Sequence, residues 1–71
     1  MINARELLGN AHYQFIKGIE GVSIDEFGLE SQDETHIYIT SHISVKSISK
    51  SVVSTLNPHT SKIDHKVVRR G

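Results

Sequence analysis

The chain has seventy-one residues, a formal net charge of zero, 37% hydrophobic content and no cysteine, which allows one small domain and excludes a disulfide-stapled one. Eight basic residues balance eight acidic ones, so the chain as a whole is neither a basic nucleic-acid arm nor an acidic solvating tail. With two Phe, two Tyr and no Trp, the core has to come from nine Ile, six Val and four Leu. A domain this small buries only about 60% of its unfolded surface, so self-association, a metal or a larger assembly is expected to supplement its stability.

The first element reads as a helix from about Ala4 to about Lys17. Ala4, Leu7, Leu8, Ala11, Phe15 and Ile19 recur at intervals of three and four and mark one apolar stripe. Asn3 and Glu6 form a capping-box pattern, Ile2 and Leu7 occupy the positions of a hydrophobic staple, and Gly18 or Gly21 supplies a left-handed stop. His12 borders the stripe and reads as a packing or surface residue.

Val22 to Glu30 reads as a strand whose parity changes midway. A one-residue bulge at Asp25-Glu26 would bring Val22, Ile24, Phe27 and Leu29 to one side. Ser31 to Glu34 is polar and suits a hairpin loop. From Thr35 to Val45, the residues Ile37, Ile39, Ile43 and Val45 alternate with His36, Tyr38, Thr40, His42 and Ser44, which predicts a strand with one buried face. Ile48, Val52 and Leu56 recur every four residues and predict a short second helix, ended by Asn57-Pro58. Lys62 to Val68 carries Ile63, His65 and Val67 at strand spacing. The order is then α-β-β-α-β within a single domain, residues 1–71: an α+β fold with a three-stranded sheet and two helices on one face, half-ferredoxin-like.

The opening residues become charged at Arg5 and Glu6, too early for a secretory segment, and the expected location is the cytoplasm without direct membrane insertion. Five histidines are the compositional oddity, although no HExxH or paired-Cys motif is present. Along the second predicted strand His36 and His42 lie about 20 Å apart and cannot share one ion. His42 and His65 are the pair that neighbouring strands would bring together, and Asp25 or Asp64 adds a carboxylate, an N/O donor set suited to zinc or another divalent transition metal. The competing reading leaves these histidines on solvent-facing strands and loops without a ligand.

Residues 4–68 resemble the cytoplasmic C-terminal domain of the cation diffusion facilitator family. The features that carry the resemblance are the turn Ile19-Glu20-Gly21-Val22, the stretch Ile24-Asp25-Glu26-Phe27, and the strand histidines in Ser41-His42-Ile43 and Ile63-Asp64-His65. The Ala-His pair in the second helix of that family is replaced by Ser49-Lys50-Ser51. The resemblance implies an α-β-β-α-β module that dimerises beside a membrane transporter. It also implies a regulatory metal ion bound through His42 and His65, with Asp25 a weaker third ligand. Ring-building domains of secretion and sporulation complexes share the same element order and bind copies of themselves.

Other chemistry is thinner. Gly18-Ile19-Glu20-Gly21 is formally a GxxG, but its internal acid and the strand that follows suit a helix stop better than a nucleic-acid clamp. Asp25, Glu26 and Glu30 have no pocket-forming chain around them, which argues against catalysis. The leading expectation is a non-enzymatic binding and assembly module, a homo-oligomer that takes a divalent metal. One alternative is a nucleic-acid-binding module using Lys46, Lys50, Lys62, Lys66, Arg69 and Arg70. Another is a structural subunit of a phage particle or secretion ring.

The zero net charge is itself a cancellation. Residues 1–34 carry two basic and seven acidic side chains, a net of −5, whereas residues 35–71 carry six basic side chains against Asp64, a net of +5. That asymmetry favours contact between unlike parts of two copies.

Overall fold

The computed structural model describes residues 3–70, in the order α1 (Ala4–Lys17), β1 (Val22–Gln32), β2 (Ile37–Val45), β3 (Ile48–Asn57) and β4 (Lys62–Arg69). The four strands form one antiparallel sheet in the order β1-β2-β3-β4, so each strand pairs with its neighbour in the chain and β1 and β4 are the edges. Helix α1 packs on one face.

Helix α1 has the expected bounds. The Asn3 side-chain oxygen accepts a hydrogen bond from the Arg5 backbone N–H at 2.8 Å, with Glu6 in the first turn and Lys17 in the last, both favourable to the helix dipole. Gly18 closes the helix in a right-handed conformation, and the left-handed glycine is Gly21, at φ 75°. The Ile2–Leu7 staple lies outside the described residues.

The expected second helix is strand β3, and the three-stranded, two-helix, half-ferredoxin-like arrangement is replaced by one helix on four strands. The spacing of Ile48, Val52 and Leu56 is ambiguous by arithmetic. An interval of four is one helical turn and also two full periods of a strand. Between those residues stand Ser49, Ser51, Val53, Ser54 and Thr55, which disfavour helix, and Val53 and Thr55 suit a pleated surface. In the β2–β3 register Ile37 opposes Leu56, Ile39 opposes Ser54 and Ser41 opposes Val52, and these pairs lie on the helix side. Tyr38, Thr40, His42, Ser51, Val53 and Thr55 turn to the uncovered side.

Two apolar clusters hold the helix down. Leu8, Ile39 and Leu56 form one, with Ala4, Ile37 and Ile63 against it. Ile16, Ile43 and Val52 form the other, with Phe15, Ile19, Val22 and Val45. The match is geometric: eight helical residues advance about 12 Å and four strand residues about 13 Å. Leu8 to Ile16 therefore spans the same distance as Ile39 to Ile43 and as Leu56 to Val52.

Strand β1 is longer than expected and carries register shifts at two places, between Ile24 and Glu26 and between Glu26 and Leu29. The first is the expected bulge. The second, at Gly28 with φ 81°, restores the original parity. Phe27 therefore meets His12 and Tyr13 on the helix side, while Leu29 pairs with Thr40 and faces away, so the four apolar residues of this strand do not share one side. The β1–β2 loop is organised by Asp33, whose Oδ1 accepts from the Thr35 and His36 backbone N–H groups, both at 2.8 Å. Its Oδ2 accepts from the Tyr38 hydroxyl at 2.6 Å. These donors, the Tyr38 hydroxyl first, hold the Asp33 carboxyl below the usual carboxylate range.

Strands β2 and β3 are joined by Lys46-Ser47, both left-handed at φ 52° and 67°. A two-residue hairpin loop with two positive φ angles has the signature of a type I′ turn, which ordinarily carries Asn-Gly. Neither Lys nor Ser adopts that region without strain. Replacing the pair with Asn-Gly is expected to raise the urea midpoint by the equivalent of about 1 kcal/mol with an unchanged m-value. An unmoved or lowered midpoint would show that the turn is not strained.

Candidate functional site

Between the two apolar clusters the core is polar. His12 lies midway between Leu8 and Ile16 on α1, Ser41 between Ile39 and Ile43 on β2, and Ser54 between Val52 and Leu56 on β3. All three are fully buried. His12 Nε2 is 2.7 Å from Ser41 Oγ, and His12 Nδ1 is 2.6 Å from Ser54 Oγ. Ser54 Oγ is also 2.6 Å from Nδ1 of His65 on β4, and Ser41 Oγ accepts from the Gly28 backbone N–H at 3.1 Å. A belt of hydrogen bonds thus crosses the domain from β1 to β4 beneath the helix. Aromatic rings flank it: Phe27 lies 5.5 Å from the His12 ring, and Phe15 stacks on His65 at 4.5 Å.

Proton counting orients the belt. Each serine hydroxyl has one proton to give, and Ser41 already accepts from Gly28. Ser41 therefore donates to His12 Nε2, His12 Nδ1–H donates to Ser54, and Ser54 donates to His65 Nδ1. Every member is satisfied with His12 neutral and protonated at Nδ1. The reverse direction leaves the buried Ser41 proton without an acceptor. A charged His12 does the same and adds a buried charge with no counter-ion. Burial, followed by the proximity of His65, pushes the His12 pKa below its ordinary value of 6.5.

The residues expected to bind metal are not brought together. His42 opposes Ser51 in the β2–β3 register and lies on the uncovered face, its Nδ1 2.9 Å from Ser51 Oγ. His65 opposes Ser54 and lies on the helix face, with β3 between it and β2. An odd register offset places the two histidines on opposite sides of the sheet. Asp25 sits at the first bulge of β1, accepting from Ser44 Oγ at 2.8 Å and paired with Arg70 at 3.4 Å. Among the described residues no group of three His, Cys, Asp or Glu side chains is placed to hold an ion, and the zinc-binding expectation is withdrawn.

The six basic candidates do not form one surface. Lys46 and Lys50 line a shallow depression of about 500 Å³ with Glu20, Gly21, Val45 and Ile48. Arg69 opposes Lys50 across β3–β4, Lys66 opposes Val53 on the uncovered face, and Lys62 opposes Asn57 at the far end of β4. Arg70 is turned back over the sheet. Its Nε donates to the Lys50 carbonyl at 3.2 Å, and its guanidinium reaches the Ile43 carbonyl and Asp25. This strap links the end of β4 to β3, β2 and β1.

The charge asymmetry becomes spatial in this fold. Residues 22–34, which are β1 and its following loop, carry Asp25, Glu26, Glu30, Asp33 and Glu34 and no basic residue. Residues 62–70, which are β4 and its extension, carry Lys62, Lys66, Arg69 and Arg70 against Asp64. Acid lies along one edge and base along the other. Only two intramolecular ion pairs form among the described residues, Arg5–Glu30 and Arg70–Asp25.

No protein family, curated protein or solved structure matches the chain. Among the described residues no helix is long and apolar enough to cross a membrane.

The belt was not singled out from sequence, although its signal is present. Leu8, His12 and Ile16 are spaced by four, and Ser41 interrupts the apolar parity of β2 between Ile39 and Ile43. Because folded His12 resists the proton that unfolded His12 accepts, the unfolded state gains protons first as pH falls below about 6.5. Stability is then fully present above that pH and declines below it. The triple variant His12→Leu, Ser41→Ala, Ser54→Ala should show a smaller loss between pH 7 and pH 5 in urea titrations. Ser41→Ala alone, which strands His12 Nε2 and the Gly28 N–H, should cost about 1–3 kcal/mol at neutral pH. Equal pH slopes in wild type and triple variant would contradict the assignment.

Proposed function

We propose that this chain is a non-enzymatic assembly module whose activity is association with further copies of itself. The observation that carries the reading is the partition of charge between the two unpaired edges of one sheet, acidic along β1 and basic along β4. Unlike charges on opposite edges attract between molecules, and within one molecule only the Arg70–Asp25 pair bridges the two edges among the described residues. The same edges carry exposed apolar residues. Ile24, Phe27 and Leu29 on β1 and Val67 and Val68 on β4 are each between 41% and 46% exposed.

A hydrolytic reading has less support. Ser41, Ser54 and His12 have no exposed surface, so a substrate has no route to either hydroxyl. The His42–Ser51 pair lies on an open sheet face, and no carboxylate hydrogen-bonds to the imidazole of His12 or His42 among the described residues.

Sedimentation or light scattering over a dilution series tests the proposal. At low salt the mass should exceed the 7.9 kDa of one chain, falling on dilution and on raising salt to about 0.5 M, where charge contacts beyond a few ångströms are screened. A single-chain mass at every concentration and salt would refute self-association.

A further inference from the structure

We infer that copies join head to tail, with β1 of one chain pairing antiparallel to β4 of the next. The inference rests on the self-association proposed above and specifies its geometry. Three features of the edges support it.

The first is strand direction. Along the antiparallel order β1-β2-β3-β4, alternate strands reverse, so β4 runs opposite to β1. A second copy placed beyond β4 in the same orientation as the first therefore presents its β1 antiparallel to β4, with both helices on the same face. The sheet continues without inverting either molecule.

The second is charge. In this antiparallel arrangement the Val22 end of β1 meets the Arg69 end of β4, and the Gln32 end meets Lys62. Asp25 and Glu26 then approach Lys66 and Arg69, while Glu30, Asp33 and Glu34 approach Lys62. Glu26, Glu34, Lys62, Lys66 and Arg69 have no ion-pair partner within the chain among the described residues. A two-fold β4–β4 contact would set Lys62, Lys66 and Arg69 against their own copies. A β1–β1 contact would do the same with the acids, and both are repelled.

The third is the exposed apolar surface at the two edges, Ile24, Phe27 and Leu29 against Val67 and Val68, which such a joint would cover. The two irregularities of β1 restrict main-chain pairing to its regular stretches, Val22–Ile24 and Leu29–Gln32. Side-chain charge then carries much of the attraction, and the joint is weak and salt-sensitive. Because the two contacting surfaces differ, repetition gives a ring or an open filament in place of a closed two-fold dimer.

Exchange of edge charges tests the geometry. One variant, Lys62→Glu/Lys66→Glu, takes the net charge of residues 62–70 from +3 to −1, and a second, Glu26→Lys/Glu34→Lys, takes that of residues 22–34 from −5 to −1. These positions avoid Asp25, Glu30 and Asp33, which serve contacts within the chain. Circular dichroism and thermal melting establish that each variant is folded. Each alone should lose at least tenfold in association affinity at low salt, and an equimolar mixture should recover it. If wild type associates but either folded variant does so equally well, or the mixture remains dissociated, the head-to-tail joint is overturned while self-association stands. If wild type is a single chain throughout, both are overturned.

Discussion

A neutral imidazole shared by two buried serines is the constraint around which this domain is built. His12 reaches down from α1 and engages β2 through Ser41 and β3 through Ser54. Ser54 extends the contact to His65 on β4, and Ser41 to the backbone of β1. A purely apolar interface between a helix and a sheet tolerates sliding, because one methyl contact replaces another. A buried imidazole does not, since a shift by one residue leaves several polar atoms without partners in a dry core. The belt therefore selects one register of helix on sheet, and the apolar clusters on either side supply attraction with less directional preference.

Economy elsewhere follows from having one helix. Fourteen helical residues cover the middle of the sheet, and the helix touches β1 and β4 less than β3. Both edges keep their outer backbone groups and a set of apolar side chains in solvent. The Arg70 strap and the Arg5 contacts to Glu30 and Gln32 tie the outer strands to the rest, which compensates in part for the missing cover. The fold ends in two unlike, unpaired edges, and the chain order places acid on one and base on the other.

Helix α1, the bulged β1, the alternating β2 and strand β4 were all legible in the residues, because each has a single dominant period or an identifiable fault in one. Strand β3 was not, because Ile48, Val52 and Leu56 satisfy both periods and only the intervening Ser and β-branched residues separate them. The turn Lys46-Ser47 gave no help, since it lacks the glycine or asparagine that usually marks a tight hairpin. Misreading β3 also misplaced the histidines. With β3 counted as a helix, the strands carrying His42 and His65 appear adjacent; with β3 inserted between them, the two side chains face opposite sides. His12 illustrates the converse, a polar residue on an apolar stripe whose partners emerge only when Ser41 and Ser54 are brought beneath it. The charge partition was visible in the sequence, but its meaning as two edges required the strand order.

The central claim is the state of His12, and long-range proton–nitrogen NMR of the imidazole groups tests it most directly. His12 should be a neutral ring protonated at Nδ1, with Nε2 unprotonated and accepting, and this pattern should persist as the pH falls below 6.5 while the protein remains folded. A ring protonated at Nε2 alone at neutral pH, or one that takes up its second proton near 6.5 in the folded state, would contradict the belt as described.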